Sequence, residues 1–401
     1  VELAGPPAGR YDAFEGDVVR VYQAMALALG KHPDQIPWDR FTEADWELLL
    51  RMAGHSQEGV GPALYSRFKG GSWPRSCPEQ VRQMLERQYY ETLGHNSLLF
   101  SELAKFAALL DAAAIRYIVL KGAALAATVY EEPGLRSMGD LDVMVPVDDF
   151  AEAQSLAESL GYRLAAPPLF SRSHELQGRH LEMRRMVGSN PVALELHDEP
   201  IGGRGYRTQL PASWFWEHSQ KINIKNGDRV LPATAEVLSS EAHALFLSGH
   251  LVLQHGGSLA RMIWFLDIHK LVRSDRVSFD LSEFSQLAQT RGWSAVAQAA
   301  LSSCIARFET PIPSETMARL HRDSKPWLKR LVAQQQQEPR SPLGREVQRM
   351  RAFRWTARLR IWMALIVPNA AYMRWRYPTR SAKSLVGAYL YRWTEALRKG
   401  N

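Results

Sequence analysis

An α+β fold, with a small mixed β-sheet core flanked by N-terminal and C-terminal helical regions, is predicted by three observations. Residues 14–113 carry apolar residues at helical spacing, residues 114–232 hold short β-type runs broken by glycine and proline, and from about Ala233 the helical period returns and runs almost to the end. A length of 401 residues suits two or three domains. With 46% hydrophobic and 23% charged residues, a mainly disordered chain is excluded. Cys77 and Cys304, the two cysteines, lie too far apart in sequence for a disulfide scaffold or a Cys-rich zinc module, and they suit a reducing cytoplasm.

In order along the chain, Leu99, Leu103, Phe106 and Leu110 recur at three- and four-residue intervals and mark one face of an amphipathic helix. Tyr117–Leu120 reads as a strand ending at Lys121-Gly122, before a small-residue helix. Leu141–Val145 is a second strand, closed by Pro146, after which Asp148 is expected to cap a helix that Gly161 stops. His180–Val187 and Val192–Leu196 form two more strands joined through the turn residues Gly188 to Pro191. Asn226-Gly227 suggests a further hairpin between Ile222–Ile224 and Val230–Leu231. There is no internal repeat, and the Gln334–Gln337 run with Glu338-Pro339 is a natural boundary. The expected units are residues 1–113, 114–232, 233–338 and 339–401.

Charge divides the chain unevenly. From Arg340 to Asn401 there are 14 Lys and Arg against 2 Asp and Glu, a net of +12; since the whole chain carries +7, the rest carries −5. The first residues lack the basic patch and apolar run of a signal peptide, and Ile361–Val367 is too short to span a bilayer. The expectation is a soluble cytoplasmic protein, with the basic tail able to hold it at a membrane surface.

The sharpest chemical feature is Arg136-Ser-Met-Gly-Asp140-Leu-Asp142. On a strand, period-2 geometry sends Asp140 and Asp142 to one side, where two carboxylates need a cation between them, and Mg²⁺ takes such hard oxygen ligands together with substrate phosphates. Glu195, two residues before His197 on a neighbouring strand, is the candidate third carboxylate. Upstream, Lys121-Gly122-Ala123 opens a helix whose free N–H groups attract anions, and Lys121 and Arg136 are candidates to neutralise phosphate. Alternatively, Asp140 ends a loop, Asp142 faces solvent and Lys121 is a solvated strand end.

Ile118-Val-Leu-Lys-Gly-Ala, Tyr130, Arg136-x-x-x-Asp140-Leu-Asp142, a helix ending in Gly161-Tyr162, and Glu195-Leu-His197 together resemble the bacterial "uncharacterised nucleotidyltransferase" family of the polymerase-β-like superfamily, over about residues 110–270. The resemblance implies a nucleotidyltransferase core that moves a nucleoside monophosphate from an NTP, ATP foremost, to an acceptor hydroxyl on a sugar, lipid-linked glycan or peptide. It implies Mg²⁺ or Mn²⁺ on Asp140, Asp142 and Glu195, with Glu195 also a candidate base. The nucleotide would lie against Lys121, Gly122, Ala123, Arg136, Ser137 and His197. The family's small polar residue after the glycine is replaced by Ala123, which keeps open a non-catalytic scaffold that binds a nucleotide or peptide. A phosphoryltransferase acting on a peptide is the other alternative.

His243, His250 and His255 fit neither a four-residue helical zinc pair nor a zinc-finger pattern. They read as packing histidines, with one lining the acceptor site as the alternative; the resemblance adds Arg261 and Asp267 after them. His197 is the better candidate for contact with phosphate or metal, and His180 the weaker. In the tail, Arg351, Arg354, Arg358, Arg360, Arg374 and Arg376 alternate with aromatic residues. That pattern suits a packed helical layer, an anionic membrane or lipid-linked substrate, or, behind these, a peptide or nucleic acid.

Overall fold

The structure, a computed structural model, describes residues 17–30, 36–71, 73–167, 180–201, 206–222, 230–255, 260–337, 344, 347–348 and 350–399. Among the described residues, four α-helices come first: α1 (Val18–Leu29), α2 (Glu43–Ala53), α3 (Gly61–Lys69) and α4 (Glu79–Ala112). Thr42 caps α2 in a capping box with Asp45, whose carboxylate also pairs with Arg20 of α1. The helix α4 runs 34 residues, about 50 Å at 1.5 Å per residue, and the buried face marked by Leu99 to Leu110 continues back through Val81, Leu85 and Tyr89.

Among the described residues the sheet has seven strands: β1 (Ile118–Leu120), β2 (Leu141–Met144), β3 (Arg163–Leu164), β4 (His180–Val187), β5 (Asn190–His197), β6 (Ser219–Lys221) and β7 (Glu236–Leu238), in the order β3-β4-β5-β2-β1-β7-β6. It is mixed: β2–β5 and β1–β7 are parallel, and the other four pairs are antiparallel. Between strands lie α5 (Lys121–Thr128), α6 (Phe150–Ser159) and α7 (Ala212–Glu217). The β4–β5 hairpin turns at Gly188-Ser189, with Gly188 at φ +60°, a conformation that costs glycine little.

Two local expectations are revised. The residue that caps α6 is Asp149, and its side chain makes no capping bond. A strand, β7, precedes the helices expected from Ala233; it is only three residues long, too short to show a period, and is set by pairing with β1 and by the Arg116–Glu236 ion pair. The turn expected at Asn226-Gly227 lies outside the described residues. Gly161 ends α6 as expected, at φ +92°.

Strand alternation sends Val119, Leu141, Val143, Leu194 and Leu196 into one core with the second half of α4 and with α6. Ile118, Leu120 and Met144 face the other way, into a larger core shared by the N-terminal helices and the helices after the sheet. These later helices are α8 (Ser240–Gly249), α9 (Met262–Arg273), α10 (Leu281–Thr290), α11 (Ser294–Phe308), α12 (Ser314–Arg322) and α13 (Pro326–Gln335). Contact is close enough that a Cβ on Gly30 would lie 2.6 Å from the Phe308 carbonyl oxygen. The tail forms α14 (Trp355–Ile366), α15 (Ala370–Arg376), α16 (Pro378–Lys383) and α17 (Leu385–Lys399), attached through a bridge between Tyr206 and Phe353. Among the described residues, no helix is long and apolar enough to cross a membrane.

Candidate active site

Four adjacent strands place the chemical side chains. Leu120, the residue before Lys121, pairs with Asp142; Asp142 pairs with Glu195; and His197, two residues on from Glu195, pairs with His180. Because Leu194 and Leu196 face the sheet-side core, Glu195 and His197 must face the helices on the other side. The carboxylates of Asp140, Asp142 and Glu195 each bring an oxygen within 4.8 Å of the others. The convergence expected of the D-x-D pair and the third carboxylate is therefore present.

A lysine sits among these oxygens. Lys121 Nζ donates to Asp142 Oδ1 at 2.6 Å and lies 3.6 Å from Glu195 Oε2. Burial opposes its charge, but Asp142, Glu195 and Asp140 outweigh that effect and raise its pKa. The reverse holds at Asp140: burial, then the charges of Asp142 and Glu195, push its carboxyl up to about 7. Glu195 is held well below the usual carboxylate range; burial works against this, but hydrogen bonds from His180 and His197 and the charge of Lys121 prevail. His197, buried, reaches Asp142 Oδ1 at 2.9 Å, and its pKa is raised by Asp142 and Glu195 in spite of desolvation. Lys121 also adopts φ +45°, a left-handed conformation uncommon outside glycine and of the kind that collects at functional sites. With Asp140 ionised, the three carboxylates exceed the one ammonium of Lys121 in charge, and their all-oxygen donor set suits Mg²⁺ or Mn²⁺.

Residues 42–309 match the family described as "Uncharacterised nucleotidyltransferase". The chain belongs to this family. The matched region starts at the cap of α2 and ends just after α11, so it takes in helices on both sides of the sheet and exceeds the span suggested by the motifs. The C-terminal helices α14–α17 lie beyond it. The chain is also similar to a solved structure, an antigenic nucleotidyltransferase-like protein from Paracoccidioides brasiliensis, with 18% identity over 53% of this chain and 96% of that one and a TM-score of 0.30. No curated protein matches.

Within this nucleotidyltransferase family member, the other expected nucleotide residues fall into different environments. Arg136 is buried, and its guanidinium is committed to protein: Nη2 donates to Asp267 Oδ2 at 2.7 Å, Nε to Oδ1 at 3.3 Å, and Nη1 to the Ser137 carbonyl at 2.8 Å. Tyr130 completes the set by donating to Asp267 Oδ1 at 2.8 Å. Arg136 thus braces the loop before Asp140 and is not an open phosphate-binding cation. Gly122 is needed for that brace, since a Cβ there would lie 2.6 Å from Arg136 Nη1. Ala123 packs into the sheet-side core, so only its backbone can face a nucleotide. Ser137 is buried, with a hydroxyl that has no hydrogen-bond partner among the described residues.

Further residues approach the site: Asn96 and His55 carry no legible signal in the sequence, whereas His250, His255 and Arg261 are singled out there. Asn96 of α4 donates to the carbonyls of Pro133 and Arg136 and so holds the same loop. His250 opens a π-helical turn, His250–Gln254, and His255 caps it, which brings their Nε2 atoms to 3.1 Å. An i→i+5 turn makes partners of residues five apart, whereas α-helical spacing does not. His250 is close enough to Lys121, Glu195 and His197 to feel their charges; burial foremost, with His255, drives its pKa well below the ordinary value. His55 borders the same loop, beside Gly139, and Arg261 donates to its carbonyl oxygen. His243, by contrast, is a packing residue, buried with its pKa lowered to about 3 by desolvation and Arg136.

Proposed function

We propose that this chain transfers a nucleoside monophosphate from an NTP to an acceptor hydroxyl, releasing pyrophosphate. The observation that carries this reading is the convergence of Asp140, Asp142 and Glu195 around a lysine at the start of a helix. Asp140 and Asp142 would hold the divalent ions, with Glu195 as the third ligand. Bound Mg²⁺ supplies Lewis-acid stabilisation of the charge that develops on the α-phosphoryl oxygens and the attacking hydroxyl. The new bond joins the acceptor oxygen to the α-phosphorus, the α–β bridging bond breaks, and the hydroxyl proton leaves to solvent.

The cationic and hydrogen-bonding neighbours that hold Glu195 ionised suit the role of ligand better than that of base. Lys121, whose Nζ lies between Asp142 and Glu195, would be the cation beside the phosphates of a nucleotide held at this site. The N–H groups of Lys121, Gly122 and Ala123, in the first turn of α5, have no intrahelical acceptor and add donors for phosphate oxygens. The side chain of Ala123 does not bear on this, since it packs in the core.

The test is incubation with ATP, GTP, CTP or UTP labelled at the α- or γ-position, together with cell extract. Label from the α-position should appear on an acceptor in a Mg²⁺-dependent manner. Transfer from the γ-position identifies a phosphoryltransferase, and nucleotide binding without transfer identifies a scaffold.

The tail favours an anionic membrane surface as a docking partner. Trp355, Leu359, Met363 and Ile366 lie on one side of α14 and are exposed, Trp355 to 74%. Arg360, Arg374, Arg376 and Arg380 are also exposed. Arg354 and Arg358, in contrast, bind the carbonyls of Tyr206, Phe353 and Arg351, which makes them structural. Sedimentation with phosphatidylserine vesicles should show salt-sensitive binding, weakened at least about 10-fold by Arg360→Glu with Arg374→Glu, at about 1 kcal/mol per basic residue near the surface. Equal binding to neutral vesicles, or none to either, would remove this reading.

A further inference from the structure

Beside the three carboxylates lies a second donor set of different chemistry. His180 Nε2 is 3.1 Å from Glu195 Oε2, and His197 Nε2 is 3.6 Å from the same oxygen. The two imidazoles stack in parallel, centroids 4.9 Å apart and planes within 7°, and both place Nε2 near Glu195; that of His197 also meets Asp142 Oδ1 at 2.9 Å, a hydrogen bond whose proton a bound ion would displace. All three donor atoms lie within 4.8 Å of one another. Around a tetrahedral ion with bonds of about 2.1 Å, neighbouring ligands are about 3.4 Å apart, so both His–Glu distances already fit. Only the His–His edge has to close, and the His180 side chain, 48% exposed at the start of β4, is free of core packing.

We propose that His180, His197 and Glu195 form a distinct site for a divalent transition metal, Zn²⁺ foremost, adjacent to the all-oxygen site and sharing Glu195 with it. Two imidazoles and one carboxylate select a borderline-soft ion over Mg²⁺, which strongly prefers oxygen, and three protein ligands leave positions open for water or substrate. The arrangement comes from strand register: His180 and His197 are directly paired on β4 and β5, and Glu195 is two residues from His197 on the same face. At this site Glu195 bridges two cations of different softness, so a transition metal would tune the neighbouring oxygen site without replacing it.

The experiment titrates the full chain, without nucleotide and in a large excess of Mg²⁺, with Zn²⁺ against a chromophoric chelator and with Co²⁺ by visible absorption. About one equivalent of either ion should bind in spite of the Mg²⁺, with Co²⁺ bands that report nitrogen ligation. His180→Ala should weaken binding about 100-fold while circular dichroism stays native, and Asp140→Asn should retain it. No Zn²⁺ binding in the presence of Mg²⁺, or equal binding by His180→Ala, overturns the site. Neither result depends on nucleotide transfer, so failure here is separable from failure of the proposed reaction.

Discussion

Asp142→Asn should lower nucleotidyl transfer by about 10³-fold or more, equivalent to about 4 kcal/mol of lost transition-state stabilisation. Asp142 is central to the site: it accepts from Lys121 at 2.6 Å and from His197 at 2.9 Å, and it pairs in register with Glu195. Asparagine keeps the shape but removes the negative charge that draws a divalent ion, so Mg²⁺-dependent NTP binding, followed by isothermal titration, should fall with activity while the fold persists. The same titration in the native chain should be pH-dependent. Asp140 titrates at about 7, above the ordinary value of 3.8, so over that interval the folded chain holds a proton that the unfolded chain has released. Folding stability from this group therefore declines as pH rises from about 4 to 7, while Mg²⁺ affinity climbs, because the ion requires the ionised carboxylate. Metal-independent NTP binding unchanged by Asp142→Asn would exclude the mechanism.

Removing the carboxylate of Asp267 should cost about 3–5 kcal/mol of stability, the usual result of leaving a buried cation unpaired. Asp267 is fully buried on α9, and it receives both a two-point bond from Arg136 and the hydroxyl of Tyr130. Asp267→Ala should therefore lower the thermal and urea midpoints sharply. The double variant Arg136→Met, Asp267→Leu should recover much of the loss, since it removes both buried charges and keeps the volume. Its NTP binding should nonetheless stay impaired, because Arg136 also fastens the Ser137 carbonyl and packs against Gly122. Full recovery of binding in the double variant would show that the ion pair only stabilises the fold.

Legibility in the sequence differed from residue to residue, for physical reasons. Asp140, Asp142 and Glu195 were readable because strand alternation is local: residues two apart share a face wherever the strand lies, and the structure brings their oxygens together. The helix–sheet–helix order was readable from local periodicity, and Gly161 and the Gly188 turn from backbone chemistry. The partner of Arg136 was not. Its guanidinium and Asp267 are 131 positions apart, and whether an arginine faces a phosphate or a buried aspartate is decided by packing of α9 on the loop before β2. The short strand β7 was hidden for the same reason, as it depends on pairing with β1.

By itself the sequence determined the helix–sheet–helix order, the D-x-D pair and the basic character of the tail, which rest on local spacing and composition, and it offered Glu195 as a candidate third carboxylate. Only the tertiary structure decided that Lys121 occupies the acidic cluster, that Arg136 is a brace, that Ala123 faces the core, and that His180 stands against His197 across a hairpin. These depend on strand register and on how helices distant in sequence close over one sheet face. A side chain's partner there is fixed by three-dimensional packing that no local pattern encodes.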